Sequence, residues 1–230
     1  MRRPFDYADE AFRLIAADKG VKLPKAKRSG QVSGTLVAAV QSSQLRDMLR
    51  SMLRFSTNIT AEAVGLAASS RSGAAPESLA ESGTRMTDWA REAFGMQTAH
   101  FVDHSGLGDA SRASARDMVS VLATDGWHGG LRPLLKDVKL TDERGKLAEI
   151  PGARVDAKTG TLNFASALAG FITCPNGRTL AFAIFTADLA KRDAIPINQR
   201  ERPPGGRTWL RKSRRMQQAL LRRWIGVYGS

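Results

Sequence analysis

Residues 154–187 read RVDAKTGTLNFASALAGFITCPNGRTLAFAIFTA, and the fold turns on this stretch. It separates into three runs of strand length, Arg154 to Leu162, Ala165 to Thr173 and Thr179 to Ala187, each rich in apolar or β-branched residues. Pro175-Asn176-Gly177 lies between the last two, and an Asn-Gly pair there is a strong hairpin signal. The spacing predicts an antiparallel meander.

Outward from that meander the pattern is helical. Downstream, a helix is expected from about Thr208 to Trp224, with Leu210, Leu220, Leu221 and Trp224 apolar and arginines between them. Upstream, Leu45, Met48, Leu49, Met52 and Leu53 follow i, i+3, i+4, i+7, i+8 spacing, so Ser43 to Leu53 reads as an amphipathic helix. It leads into Phe55-Ser56-Thr57-Asn58, with Thr60 able to cap a second helix through Ala67. A polar loop from Ser69 to Pro76 follows, then a helix from Glu77 to Phe94 with Leu79, Met86 and Trp89 inward. Ser114 and Asp117 form a capping box for a helix through Leu122. Residues 1–20 read as a short helix ended by Gly20, Lys22 to Arg28 as a basic connector, and Ser33 to Val40 as a strand. Helices, three antiparallel strands and a last helix make an α+β layer fold.

Bulk properties narrow the function. The 230 residues suit one domain, and no apolar run reaches the length of a membrane-spanning helix. Acidic residues follow Met1-Arg2-Arg3 where a secretory signal would carry its apolar core, so no export signal is read. The single cysteine, Cys174, excludes an internal disulfide and a CxxC zinc framework. A net charge of +13 points to an anionic partner such as nucleic acid, anionic lipid or an acidic polymer.

Two triplets can carry chemistry. Ser56-Thr57-Asn58 lies at a turn between helices, and Lys158-Thr159-Gly160 lies on the first strand of the meander. Asn58 can donate and accept hydrogen bonds, and Ser56 can accept and pass a proton. Lys158 can attract a carboxylate that the Thr159 hydroxyl also binds. Gly160 has no side chain, so an extended substrate can lie against its strand.

The order SxN then KTG, with Phe101-Val102-Asp103-His104-Ser105-Gly106-Leu107 between them, resembles the low-molecular-mass penicillin-binding proteins. More closely, it resembles their serine-type D-alanyl-D-alanine carboxypeptidases and endopeptidases, the DacB-like class with a large insertion between SxxK and SxN. Gln41 to Leu49, Asn58 to Glu62, Arg112-Ala113-Ser114, Ala157 to Leu162 and Ala167 to Gly170 carry the likeness over residues from about 40 to 190. The resemblance implies an incomplete β-lactamase/transpeptidase-like fold: a helical subdomain and an antiparallel sheet with the C-terminal helix packed on it. It further implies that residues 1–40 are a remnant of the inserted region with a lead-in strand, and that 41–230 are the C-terminal part of the catalytic domain. By the same resemblance Ser56, Asn58 and Lys158 are catalytic, while Thr159, Gly160 and Thr161 bind substrate, the Thr161 N–H supplying half an oxyanion hole. Peptidoglycan stem peptides or β-lactams are the implied ligands, the periplasm the implied location, and no cofactor or metal is called for.

One family element is missing from these residues. The positions three before each lysine are Ala16, Lys19, Lys22, Pro24, Pro133, Lys136, Glu143, Val155, Asp188 and Trp209, so no SxxK nucleophile is present. The expectation is a fragment inactive alone, with a missing N-terminal segment that carries SxxK as its partner.

Plainer readings stand beside these. Ser56 and Asn58 are also helix-capping types, and Lys158 with Gly160 also suits a protected edge strand. His100 and His104 have helical ligand spacing, but no accompanying glutamate makes a metal motif, so solvated or capping histidines are expected. Arg200, Arg202, Arg207, Arg211, Lys212, Arg214, Arg215, Arg222 and Arg223 could form a phosphate-binding stripe, although a solvated helix face is the simpler reading. The alternative function is therefore a basic binding module for nucleic acid or an anionic cell-wall polymer, without catalysis.

Overall fold

The computed structural model describes residues 4–27, 30, 34–128, 130–196, 199 and 202–230. They fall into two units, residues 1–42 and 43–230, each described by itself.

In the first unit, α1 (Pro4–Asp18) carries an Arg13–Asp9 pair at 3.2 Å, one helical turn apart, and Gly20 follows at φ 79°. Over residues 34–40 the expected strand does not form: residues 35–40 are irregular, and Val37 and Val40 are almost fully exposed. Apolar content suits a strand only where a neighbour completes the hydrogen-bond ladder, and no described residue pairs with this segment. Met1-Arg2-Arg3, Arg28 and Ser33 lie outside the described residues.

The second unit opens with three helices, α2 (Leu45–Phe55), α3 (Asn58–Arg71) and α4 (Leu79–Phe94). Helix α3 starts two residues before the expected cap at Thr60, with Thr57 at the N-cap position, and it runs through the first three residues of the expected loop. The inward face of α4 differs from expectation. Ser82, Gly83, Thr87 and Ala90 are buried, whereas Trp89 and Leu79 are exposed. The reason is close backbone packing: a Cβ on Gly83 would lie 2.7 Å from the Phe101 carbonyl oxygen, so only small residues fit that face. Trp89 packs edge-on against Phe94 instead, with ring centroids 5.0 Å apart.

Helix α5 (Ala115–His128) begins with the expected capping box: Ser114 Oγ accepts from the Asp117 N–H at 3.1 Å, and the Ser114 N–H points back to the Asp117 carboxylate at 3.4 Å. Asp117 also accepts from the Thr98 hydroxyl and from the Gln97 and Thr98 amides at 2.9 and 3.0 Å. The Thr98 hydroxyl, followed by the two amides, holds this carboxyl far below its usual range although burial acts against it. A carboxyl lowered in the folded state adds stability that is complete above its unfolded pKa of about 3.9 and lost as pH falls below that value. Asp117→Asn should therefore flatten the acid limb. In urea titrations at pH 7 and pH 3, the wild type should lose more stability between the two than the variant does.

Three long strands, β2 (Arg154–Leu162), β3 (Ala165–Thr173) and β4 (Thr179–Ala187), occupy the bounds expected from sequence. A short strand, β1 (Lys136–Asp137), precedes them, and the antiparallel order is β1-β2-β3-β4. The β3–β4 turn closes with Cys174 N–H to Arg178 O at 2.8 Å, and Gly177 takes φ 82°. After β4 come α6 (Leu189–Asp193) and the long α7 (Gly206–Tyr228).

Strand alternation sorts side chains to two faces. Val155, Ala157, Leu168, Ile172, Phe182 and Ile184 meet Leu221 and Ile225 of α7 in the main core, which also takes in the buried Cys174. Burial pushes the Cys174 thiol up, so it is an inert core residue. The opposite face carries Lys158, Gly160, Ala167, Ala169, Ala183 and Phe185, and α5 packs on β3 and β4. The sheet thus lies between α7 and α5, and the KTG strand presents its lysine away from α7.

Candidate active site

The end of α2 sets up the first half of the site. Ser56 ends that helix in the left-handed conformation, φ 55° and ψ 50°, a region costly for a residue with a Cβ. Only Phe164 among the other described non-glycine residues shares a positive φ. Such strain persists where the surroundings fix it, and here the Thr57 N–H bonds to the Met52 carbonyl at 3.3 Å. Asn58 is then the first residue of α3.

Strand β2 supplies the second half. Lys158 Nζ donates to Ser56 Oγ at 2.5 Å and to the Thr159 carbonyl at 2.6 Å, joining two triplets 102 residues apart in sequence. Among the described residues no carboxylate pairs with this lysine. Burial, and then the positive charge of Lys136, pull its pKa below the usual lysine value. Beyond Ala157, β2 is paired only on its β3 side: β1 reaches Asp156 and Ala157 and no further. The backbone from Lys158 to Leu162 is therefore an edge on which an extended chain can add, with Thr159, Gly160 and Thr161 along it.

A third segment closes the opening. Ser105, Gly106 and Leu107 line the same groove as Ser56, Asn58 and Lys158, and its volume is about 830 Å³. All six site residues expected from sequence line it, and the rest of its lining includes the apolar Met52, Met118, Ala167, Ala169 and Phe185. Burial would raise the Asp103 carboxyl, but hydrogen bonds from the Gly108 amide, the Ser111 and Ser105 hydroxyls and the Gly106 amide outweigh it and hold this carboxyl low. Asp103 thereby fixes the loop.

Two residues that anchor this loop escaped sequence reasoning. Glu62, one helical turn after Asn58, accepts from the His104 and Ser105 amides, each at 3.0 Å, and so ties the loop to the SxN helix. His104 is neither solvated nor a cap. Its ring occupies the space left by Gly65, where a Cβ would lie 2.0 Å from the imidazole Cγ. Its Nε2 lies 2.7 Å from Ser82 Oγ and its Nδ1 3.2 Å from Met86 Sδ, so both ring nitrogens have protein partners. The signal available in sequence was the glycine seven residues after Asn58, on the helix face that meets the loop.

A convergent serine, asparagine and lysine beside a free strand edge suit recognition of a short peptide ending in a carboxylate. The profile of the D-Ala-D-Ala carboxypeptidase 3 (S13) family matches residues 1–201. Carboxypeptidase DacB of Mycolicibacterium smegmatis is 29% identical over 198 residues, covering 80% of this chain and 43% of that protein. Penicillin binding protein 4 of Haemophilus influenzae, solved with a β-lactam, superposes with a TM-score of 0.63 at 22% identity over 94% of this chain and 50% of its own. A predatory endopeptidase of Bdellovibrio bacteriovorus, Bd0816, gives 0.56 at 18% identity over 93% of this chain and 55% of its own. The chain thus spans about half the length of these relatives or less.

Proposed function

The chain belongs to the D-Ala-D-Ala carboxypeptidase 3 (S13) family, and on that footing we propose that its groove holds the D-alanyl-D-alanine end of a peptidoglycan stem peptide, or a β-lactam in its place. The observation that carries this reading is the Lys158 ammonium, free of any carboxylate among the described residues and 2.5 Å from Ser56 Oγ. The peptide lies along β2 as an added strand, its terminal carboxylate on Lys158 and the Thr159 hydroxyl. Gly160 leaves room for its backbone, the Thr161 N–H faces the scissile carbonyl, and Asn58 holds the penultimate amide. Ser56, polarised by Lys158, passes a proton toward the leaving D-alanine nitrogen.

Acylation needs a nucleophile, and no lysine of these residues follows a serine or threonine at the required spacing. In this reading residues 41–230 form the C-terminal part of a transpeptidase-like domain, residues 1–40 are the remnant of an inserted region, and an SxxK segment supplies the attacking serine. Its place of work is the periplasm. Among the described residues no helix is long and apolar enough to cross a membrane.

The test uses an acyl-D-alanyl-D-alanine peptide and a fluorescent penicillin. Calorimetry should give saturable binding of the D,D-peptide and none of the D,L-peptide, while the penicillin leaves no covalent label on the denatured chain. Equal binding of both peptides would remove the proposed D-alanyl-D-alanine site, and a stable label would show a nucleophile among these residues.

A further inference from the structure

Helix α7 carries an unusually charged strip that flanks its core-facing side. Its 23 residues include Arg207, Arg211, Lys212, Arg214, Arg215, Arg222 and Arg223 and no acidic residue. At 3.6 residues per turn, Arg207, Arg211, Arg214, Arg215 and Arg222 fall within an arc of about 100°, on a line roughly 22 Å long. The first four are exposed and Arg222 is half-buried. Among the described residues no carboxylate pairs with any of them. Arg222 Nε is buried without a hydrogen-bond partner, so the base of this guanidinium is held in place while its outer nitrogens remain to meet an anion.

We infer that this strip docks a linear phosphodiester polyanion of the polyol-phosphate kind, on the side of the sheet opposite the groove. Guanidinium groups bind phosphates through paired N–H donors, and a rigid row of them matches a chain of regularly spaced phosphates better than it matches isolated anions. The arc lacks what single-stranded nucleic acid and bilayers use. Single-stranded nucleic acid is gripped by aromatic side chains interleaved with cations, and no aromatic falls within this arc, Trp209 and Trp224 lying on other faces of the helix. Helices that bind bilayers offer an apolar face to the lipid, but Leu221 and Ile225 of α7 are spent in the core. The strip does not depend on the peptide groove, and its test is separate from that reading.

Fluorescence anisotropy of the whole chain with labelled poly(glycerol phosphate) decides it. Binding should weaken with salt at a log–log slope of about −3.5, as five phosphate contacts on a flexible strand require. R211E/R214E/R215E should bind at least about tenfold more weakly, while R46E/R116E/R144E, equal in net charge and off the helix, should stay within about twofold of wild type. Circular dichroism confirms that both variants fold. Equal losses in the two variants would assign the effect to net charge and overturn the strip. So would the absence of binding at low salt, or tighter binding to charge-matched single-stranded DNA or to phosphatidylglycerol vesicles.

Discussion

Lys158→Met should weaken binding of the acyl-D-alanyl-D-alanine peptide by roughly 30-fold while leaving the unfolding transition close to that of wild type. A hydrogen bond to a charged group contributes about 1.5–3 kcal/mol, and about 2 kcal/mol corresponds to that ratio. The fold tolerates the change because the ammonium is a burden to the free protein. Its pKa lies below the ordinary lysine value through burial and through Lys136, so the charge costs more here than in water and a bound anion offsets that cost. The sign for ligand binding follows. Affinity for a carboxylate is complete below the lowered pKa and is lost as pH rises through it, earlier than the value of about 10.4 typical of lysine. Lys136→Gln removes the second cause and should move that loss to higher pH. Calorimetry across alkaline pH on the three proteins checks both statements. An unchanged profile in Lys136→Gln would mean that burial acts alone.

The largest loss of stability is expected from Leu221→Ala. Leu221 is fully buried where α7 crosses the sheet, in one cluster with Leu168, Ile172 and Ile225. Truncation of a leucine in such a place costs about 3 kcal/mol through lost transfer energy and a residual cavity, against a total of about 5–15 kcal/mol for a whole domain. Urea denaturation should show a lower midpoint at unchanged slope. A midpoint within error of wild type would mean that α7 is not the element that closes the main core.

The same helix shows why parts of the fold were legible in sequence. Leu221 and Trp224 repeat at helical spacing, and the three long strands are bounded by Asn163-Phe164 and Pro175-Asn176-Gly177, so their limits follow from local chemistry. Strand β1 was not legible: Lys136 and Asp137 carry no strand signal and pair only because β2 offers them an edge. Ser33 to Val40 shows the converse: its apolar content suits a strand, yet residues 34–40 have no strand partner among the described residues. On α4, periodicity chose Leu79, Met86 and Trp89, but contact with the Phe101–Val102 backbone admits only small residues, and such approach leaves no mark in hydropathy.

The site divides in the same way. Ser56, Asn58, Lys158, Thr159, Gly160 and Thr161 were found through two triplets whose spacing resembles a family, and all six line one groove. Glu62 and His104 are not legible as anchors because their partners lie on other elements. Glu62 binds the amides of residues 42 and 43 positions away, and His104 sits over a glycine whose purpose appears only when two helices and a loop meet.

The central claim is that the groove between the SxN turn and the KTG strand binds an acyl-D-alanyl-D-alanine peptide as an added strand. Amide chemical shifts of the isotopically labelled chain, followed as the peptide is titrated, test it most directly. Saturating shifts concentrated on Thr159, Gly160, Thr161 and Asn58, absent in Lys158→Met, are the result predicted. Shifts that map elsewhere, or no shifts at millimolar peptide, would contradict it.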